Sequence, residues 1–548
     1  MLIGVPLKIV VAASVVLVLG LLVAAAAPVG IQPNAPGEIV VGRYNQMRTG
    51  VATDVGHITT PSVLWTFQTN GTIATSPLAA DVDGDGELEV FLGEYKPGGA
   101  ADGSRLGYVL DAHGKAQYTI PMRYNGAAAA AADLDGDPGV ELVFSEGSHS
   151  NEDGGLGYRV FNGEDGTPVW GFETGNDPVE GFFASPALVD VDGDGELDLV
   201  AGSMDDTVYA LRGVDGTPLW RSDPLGHYVR HSTPMADVDG DGELEISVHT
   251  EAGVAFLFDA RTGAEEWQTD LGSIVAATPA MGDLSGDGVP EIVYSLVVDG
   301  GVAAVRGDGT ILWQQTAHDF SYRGPTLVDV DGDGLVDVVE GDSDDPSVAA
   351  YRGTDGTLLW EASLTAAWAS GPLVTADVDA DGAMEIVVGS DLGLTILSAG
   401  TGSIEWEFAL PTIRGEPLVR DIDGRGGAEI LVGAGDGALY AIGVPADADD
   451  DDEDDGCDDR DDDDERDDDE RDNDDGRDGR DDERGDDDED DERDDDREDD
   501  EGCHDRDGED DDGRTDDRCG DHDHESSDRD EDDDRDQDDD DDEDDENP

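Results

Sequence analysis

The strongest constraint on this chain is a nine-residue pattern that recurs eight times. A DxDGDG-like loop begins at Asp81, Asp133, Asp190, Asp237, Asp283, Asp329, Asp377 and Asp421, at spacings of 52, 57, 47, 46, 46, 48 and 44 residues. Each loop runs into a short apolar segment such as ELEVFLG, ELDLVAGS or MEIVVGS. Runs of this length, rich in Val and Ile and bounded by Gly and Asp, read as buried strands. Seven of the units continue with a second run, a Gly turn that is DG or TG in six of them, and an aromatic four residues after the turn glycine, as in VYALRGVDGTPLW. These aromatics are Tyr118, Trp170, Trp220, Trp267, Trp313, Trp360 and Trp406, and SVLW supplies Trp65 ahead of the first loop.

The mean period of about 49 residues holds four short strands. The two columns are out of phase at the chain ends: Trp65 precedes the first acidic loop, and no tryptophan follows the last. A closed ring accounts for this, because the N-terminal strand then completes the final blade and leaves no open sheet edge. The predicted fold is all-β: an eight-bladed β-propeller over residues 55–444, closed by its N- and C-terminal strands, with seven blades the alternative. The tryptophans are expected to pack between blades.

In DVDGDGELE, carboxylates stand at positions 1, 3, 5 and 9, with glycines at 4 and 6. Hard oxygen donors at alternate positions of a tight turn converge on one point, which suits calcium better than magnesium. The predicted ligands are Asp81, Asp83, Asp85 and Glu89; Asp133, Asp135, Asp137 and Glu141; Asp190, Asp192, Asp194 and Asp198; and Asp237, Asp239, Asp241 and Glu245. The later loops offer Asp283, Ser285, Asp287 and Glu291; Asp329, Asp331, Asp333 and Asp337; Asp377, Asp379, Asp381 and Glu385; and Asp421, Asp423 and Glu429. In the eighth loop Arg425 occupies the third ligand position, and its guanidinium is expected to take the cation's place, giving about six to seven calcium sites. The last acid stands at position 9, not 12, and a strand follows, so these are not EF-hands. Such clustering of charge is repulsive without cations, and folding is expected to be coupled to calcium.

On these eight loops and their following strands, about 70% of the chain resembles the FG-GAP or VCBS repeats of integrin alpha-chain propellers and secreted microbial proteins. The resemblance implies calcium between the first and second strands of a blade, and use in adhesion or ligand binding. The Gly-to-Trp column is also similar to the repeat of quinoprotein alcohol dehydrogenases and outer-membrane assembly scaffolds.

The linkers entering each blade lie on the face opposite the acidic loops, which by the resemblance is the usual ligand side. They collect Arg123, Tyr124, Phe182, Phe183, Tyr228, Arg230, His231, Tyr322, Arg323, Trp368, Arg414 and Glu416. Arginines among aromatics suit an anionic sugar or another acidic ligand. The competing reading is that they fill the central channel and pair with neighbouring acids.

Residues 1–30 are predicted to be a signal peptide or a membrane anchor. Ile9 to Ala27 is uncharged and follows Lys8; its length of about 28 Å approaches the hydrocarbon thickness of roughly 30 Å. Residues 31–54 read as a linker. From 445 to 548 the chain is almost wholly Asp, Glu, Arg and Gly, which cannot collapse into a core and reads as disordered. It holds all three cysteines, Cys457, Cys503 and Cys519, so no disulfide staples the body.

A net charge of −105, with only three lysines, excludes nucleic acid as a partner and suits concentrated salt. These features predict an exported or cell-surface, calcium-stabilised binding or adhesion module, whose partner is a surface protein or glycan, with membrane attachment if the N-terminal segment is retained. The alternatives are a polysaccharide lyase or other carbohydrate-active enzyme and, less favoured, a quinone-dependent dehydrogenase, since adjacent cysteines are absent. No catalytic residue is singled out.

Overall fold

The computed structural model describes residues 39–445, apart from 74, 96–104, 123–124, 138, 148–156, 175–184, 230, 276, 298–300, 317–323, 343–345 and 367–371. Its described part is built of strands and loops, with no helix, arranged as eight antiparallel sheets in a ring. The N-terminal apolar segment and the acidic tail lie outside the described residues, and no described helix is long and apolar enough to cross a membrane.

Each blade has the same plan. In blade 3 the inner strand Ala187–Val189 pairs with Asp198–Gly202, then Val208–Leu211, then the outer strand Pro218–Arg221. Second strands such as Asp198–Gly202 and Glu291–Leu296 are buried along their whole length, and third strands along most of theirs, as in Val254–Asp259. Sheets covered on both faces call for continuous apolar runs of this kind. Outer strands alternate, as in Glu265–Asp270 and Ile404–Ala409, because one face meets water.

Blade 8 is closed as the phase of the two columns requires. Ser62–Gln68 forms its outer strand, antiparallel to Ala438–Gly443, with Ser62 opposite Gly443.

The aromatic column joins successive blades. The indole N–H of Trp65 donates to Ala112 O at 3.0 Å, and those of Trp170, Trp220, Trp267, Trp313 and Trp360 donate to the matching carbonyls Gly213, Ala260, Gly307, Gly353 and Ala399. Tyr118 does the same through its hydroxyl to Gly163 O. The turn glycine of the next blade lies on the ring: at Gly216, where φ is +70°, a Cβ would stand 2.4 Å from the Trp170 ring. Blade 8 joins its third and fourth strands through no hairpin, and Trp406 makes no such bond among the described residues.

Residues 39–58 depart from the expected linker: they enter the hub. Val40–Val41 adds a fifth, innermost strand to blade 2, with Val40 opposite Ala131. The chain then turns and passes the remaining inner strands in order. Gln46 bonds both backbone groups of Leu188 through its side chain, and its carbonyl accepts from Met235. Met47, Thr49 and Gly50 carbonyls accept from Met281, Leu327 and Thr375, and Val55 O accepts from Ala428 N. Blades 2 through 8 are thereby held to one strand of chain at the axis. The physical reason is that eight short inner strands leave unpaired backbone groups around the axis, and buried groups of this kind demand partners.

Arg48 anchors this segment. It is fully buried, and its guanidinium donates to the carbonyls of Gly42, Ser185 and Pro186. Burial lowers its pKa to about 9. Arg43, Tyr44 and Arg48 all adopt positive φ, at 61°, 70° and 57°.

Both ends of the described chain lie on the acidic-loop side. Val40 faces Ala131, two residues short of Asp133, and Gly443 leads out beside the eighth loop.

Candidate metal centres

All eight acidic loops connect the inner strand of a blade to its second strand, which places them together on one side of the ring. The backbone ladder fixes their shape. The position-9 acid opens the second strand and reaches back seven residues to accept the N–H of position 2: Val82 to Glu89 at 3.1 Å, Leu134 to Glu141 at 2.8 Å, Val191 to Asp198 at 2.9 Å. The same bond recurs at Glu245, Glu291, Asp337, Glu385 and Glu429. In loops 1, 3, 4, 5 and 6 position 1 accepts from the glycines at 4 and 6, as Asp81 does from Gly84 at 2.8 Å and from Gly86 at 3.1 Å. Both glycines have positive φ. In loop 7 position 4 is Ala380, which the turn holds at φ 64°. There Asp377 Oδ1 has no hydrogen-bond partner, and the same is true of Asp421 Oδ1 in loop 8.

The carboxylates converge. In loops 1, 3 and 6 the side chains at positions 1, 3 and 5 each offer an oxygen within 4.8 Å of the others, and in loops 2 and 4 those at positions 1, 3 and 9 do so. Oxygens on a sphere of radius about 2.4 Å, the calcium–oxygen distance, lie no farther apart than this. The clusters can therefore hold a metal ion.

The electrostatics point the same way. Burial, reinforced by the loop aspartates, pushes Glu89, Glu141 and Glu245 up to about 7, and Glu385 and Glu429 up to about 8. Asp198, Glu291 and Asp337 are raised for the same first reason. A carboxylate that resists ionising beside other carboxylates is relieved by a cation.

Arginines contribute what the loop pattern does not reveal. Arg212, from the turn after the third strand of blade 3, pairs with Asp192 and with Asp194 at 3.1 Å, and Arg352 of blade 6 pairs with Asp331 at 3.1 Å. Their signal in the sequence is the Arg-Gly step opening each turn, in LRGVDG and YRGTDG. Arg425 lies 3.6 Å from Asp423 with its side chain 64% exposed. That loop is braced by the hub segment: Asp54 accepts from Asp421 N at 3.0 Å and pairs with Arg420 at 3.4 Å.

Of the linker residues, four are described. Tyr228 and Arg414 are exposed. His231 is partly buried and stacks on His249 with ring centroids 5.2 Å apart. Glu416 is 6% exposed and turns into the hub, 3.7 Å from Arg43. Arg123, Tyr124, Phe182, Phe183, Arg230, Tyr322, Arg323 and Trp368 lie outside the described residues.

Residues 329–388 match the FG-GAP-like repeat, and residues 204–337 match the family described as outer membrane protein assembly factor BamB. The chain is thus an eight-bladed β-propeller, part of which matches FG-GAP-like and BamB-type repeat models. Among solved structures it resembles the V. cholerae biofilm matrix protein Bap1, at 15% identity and TM-score 0.51 over 72% of this chain and 92% of that one. It also resembles the quinohemoprotein alcohol dehydrogenases of Comamonas testosteroni, at 12% and 0.52 over 75% and 81%, and of Pseudomonas putida HK5, at 12% and 0.53 over 75% and 80%. At these identities the likeness is one of fold. No curated protein matches the chain by sequence.

Proposed function

We propose that the protein is an exported, calcium-stabilised propeller that acts as an extracellular or cell-surface binding module. The observation that carries this reading is the ring of convergent carboxylates, with oxygens within 4.8 Å of one another in loops 1, 2, 3, 4 and 6. Calcium matches the all-oxygen donor set, the mix of side-chain and backbone groups, and the open loop geometry. Millimolar calcium outside cells is the natural supply for such sites. The cations hold the inner and second strands of each blade together, and the opposite side meets a surface protein or glycan through its linkers. The test is elemental analysis of the purified protein after dialysis against calcium and magnesium together. Six to seven calcium atoms per chain is the expected result; fewer than one refutes the reading.

A further inference from the structure

The hub segment does not fill the axis evenly. It bonds to the inner strands of blades 2 through 8, but no described backbone hydrogen bond joins it to the inner strand of blade 1, Leu78–Ala80. A cavity of about 530 Å³ lies at that gap, walled by the hub segment, by Ser76–Ala79 of blade 1 and by Glu416–Leu418 of blade 8. Its walls are largely aliphatic, with Val40, Val41, Met47, Leu78 and Leu418 among them.

Most polar groups in the wall are satisfied. Asn45 bonds Thr49, Gln46 bonds Leu188, and the Tyr44 hydroxyl donates to Pro417 O and accepts from Val419 N. Two atoms are not. Arg43 Nη1 and Glu416 Oε1 have no hydrogen-bond partner, although the residues are only 5% and 6% exposed. They stand 3.7 Å apart, too far for a hydrogen bond between them. A buried donor and a buried acceptor left open side by side demand an explanation, and a ligand supplies one.

We propose that this hub cavity binds a small uncharged molecule with an aliphatic body and a hydrogen-bond acceptor and donor on neighbouring atoms, of which a carboxamide is the simplest. The carbonyl oxygen accepts from Arg43 Nη1, the amide N–H donates to Glu416 Oε1, and the body lies on the aliphatic wall. The charges in the wall are already paired, Arg43 with Glu416 and Arg420 with Asp54, so a charged ligand would bring an uncompensated charge into the cavity and a neutral one is selected. The volume is within the usual range for small-molecule sites. This inference is independent of the acidic loops.

Calorimetric titration of the calcium-loaded protein with pentanamide, pentanoic acid, pentylamine and pentan-1-ol tests it. Pentanamide is expected to bind at least tenfold more tightly than the other three. Glu416→Gln is expected to weaken it about tenfold, and Val51→Phe, which narrows the cavity without touching the charged pair, to abolish it in a protein of unchanged circular dichroism. Equal affinity for all four probes, no binding of any, or pentanamide binding that survives Val51→Phe overturns the proposal.

Discussion

Removing calcium should lower the melting temperature by an amount set by the number of working loops. A ligand bound only by the folded state adds about 2.7 kcal/mol per site at a free concentration 100 times its Kd. Seven such sites give roughly 19 kcal/mol if they act independently. Unfolding entropy of about 2.1 cal/mol/K per residue, over the roughly 400 residues of the propeller, is near 0.85 kcal/mol/K. Chelation should therefore lower Tm by roughly 20 °C, and loss of one loop by about 3 °C. Differential scanning fluorimetry in excess calcium and in excess EDTA reads both. Asp239→Asn with Asp241→Asn, which empties the fourth loop, should cost about 3 °C in calcium and almost nothing in EDTA. Arg425→Asp completes the eighth loop and should raise Tm by a similar amount in calcium alone. A fall under 2 °C on chelation, or a loop variant that shifts Tm equally in both buffers, would refute the reasoning.

Other outcomes follow from the same geometry. In the calcium-free protein the position-9 acids have folded pKa values of about 7 to 8, above their ordinary 4.5. Their protonated forms favour the fold fully at low pH, and that contribution is lost as pH rises through 7 to 8. Chemical denaturation in EDTA should thus show stability falling between pH 5 and 8, and calcium should abolish the trend. Trp313→Ala removes a side chain only 8% exposed, together with its bond to Gly353 O, and should cost about 3–5 kcal/mol in urea denaturation; Trp406→Ala, lacking that bond, should cost less. Arg48→Ala leaves three carbonyls without their donor in a closed hub and should cost about 3–5 kcal/mol.

The ring was legible because its information is local and repeated. Val, Ile and Gly at fixed offsets mark the buried strands, and the lone position of Trp65 ahead of the first loop marks the closure. The converging carboxylates were equally readable, since alternate positions of one tight turn need no knowledge of the rest of the fold. The hub was not. Residues 39–58 carry no apolar period, and their order comes from bonds to seven separate blades, which no spacing in the segment encodes. Arg43, Tyr44 and Arg48 take left-handed backbone conformations that their residue types do not announce. Glu416 looked like a linker acid because its partner, Arg43, lies 373 residues away.

The path of the chain at Val40 and Gly443 has a mechanical consequence. Whatever precedes or follows the propeller is fastened to the same side that displays the acidic turns. A load applied through either end therefore pulls beside the carboxylate turns rather than across the ring.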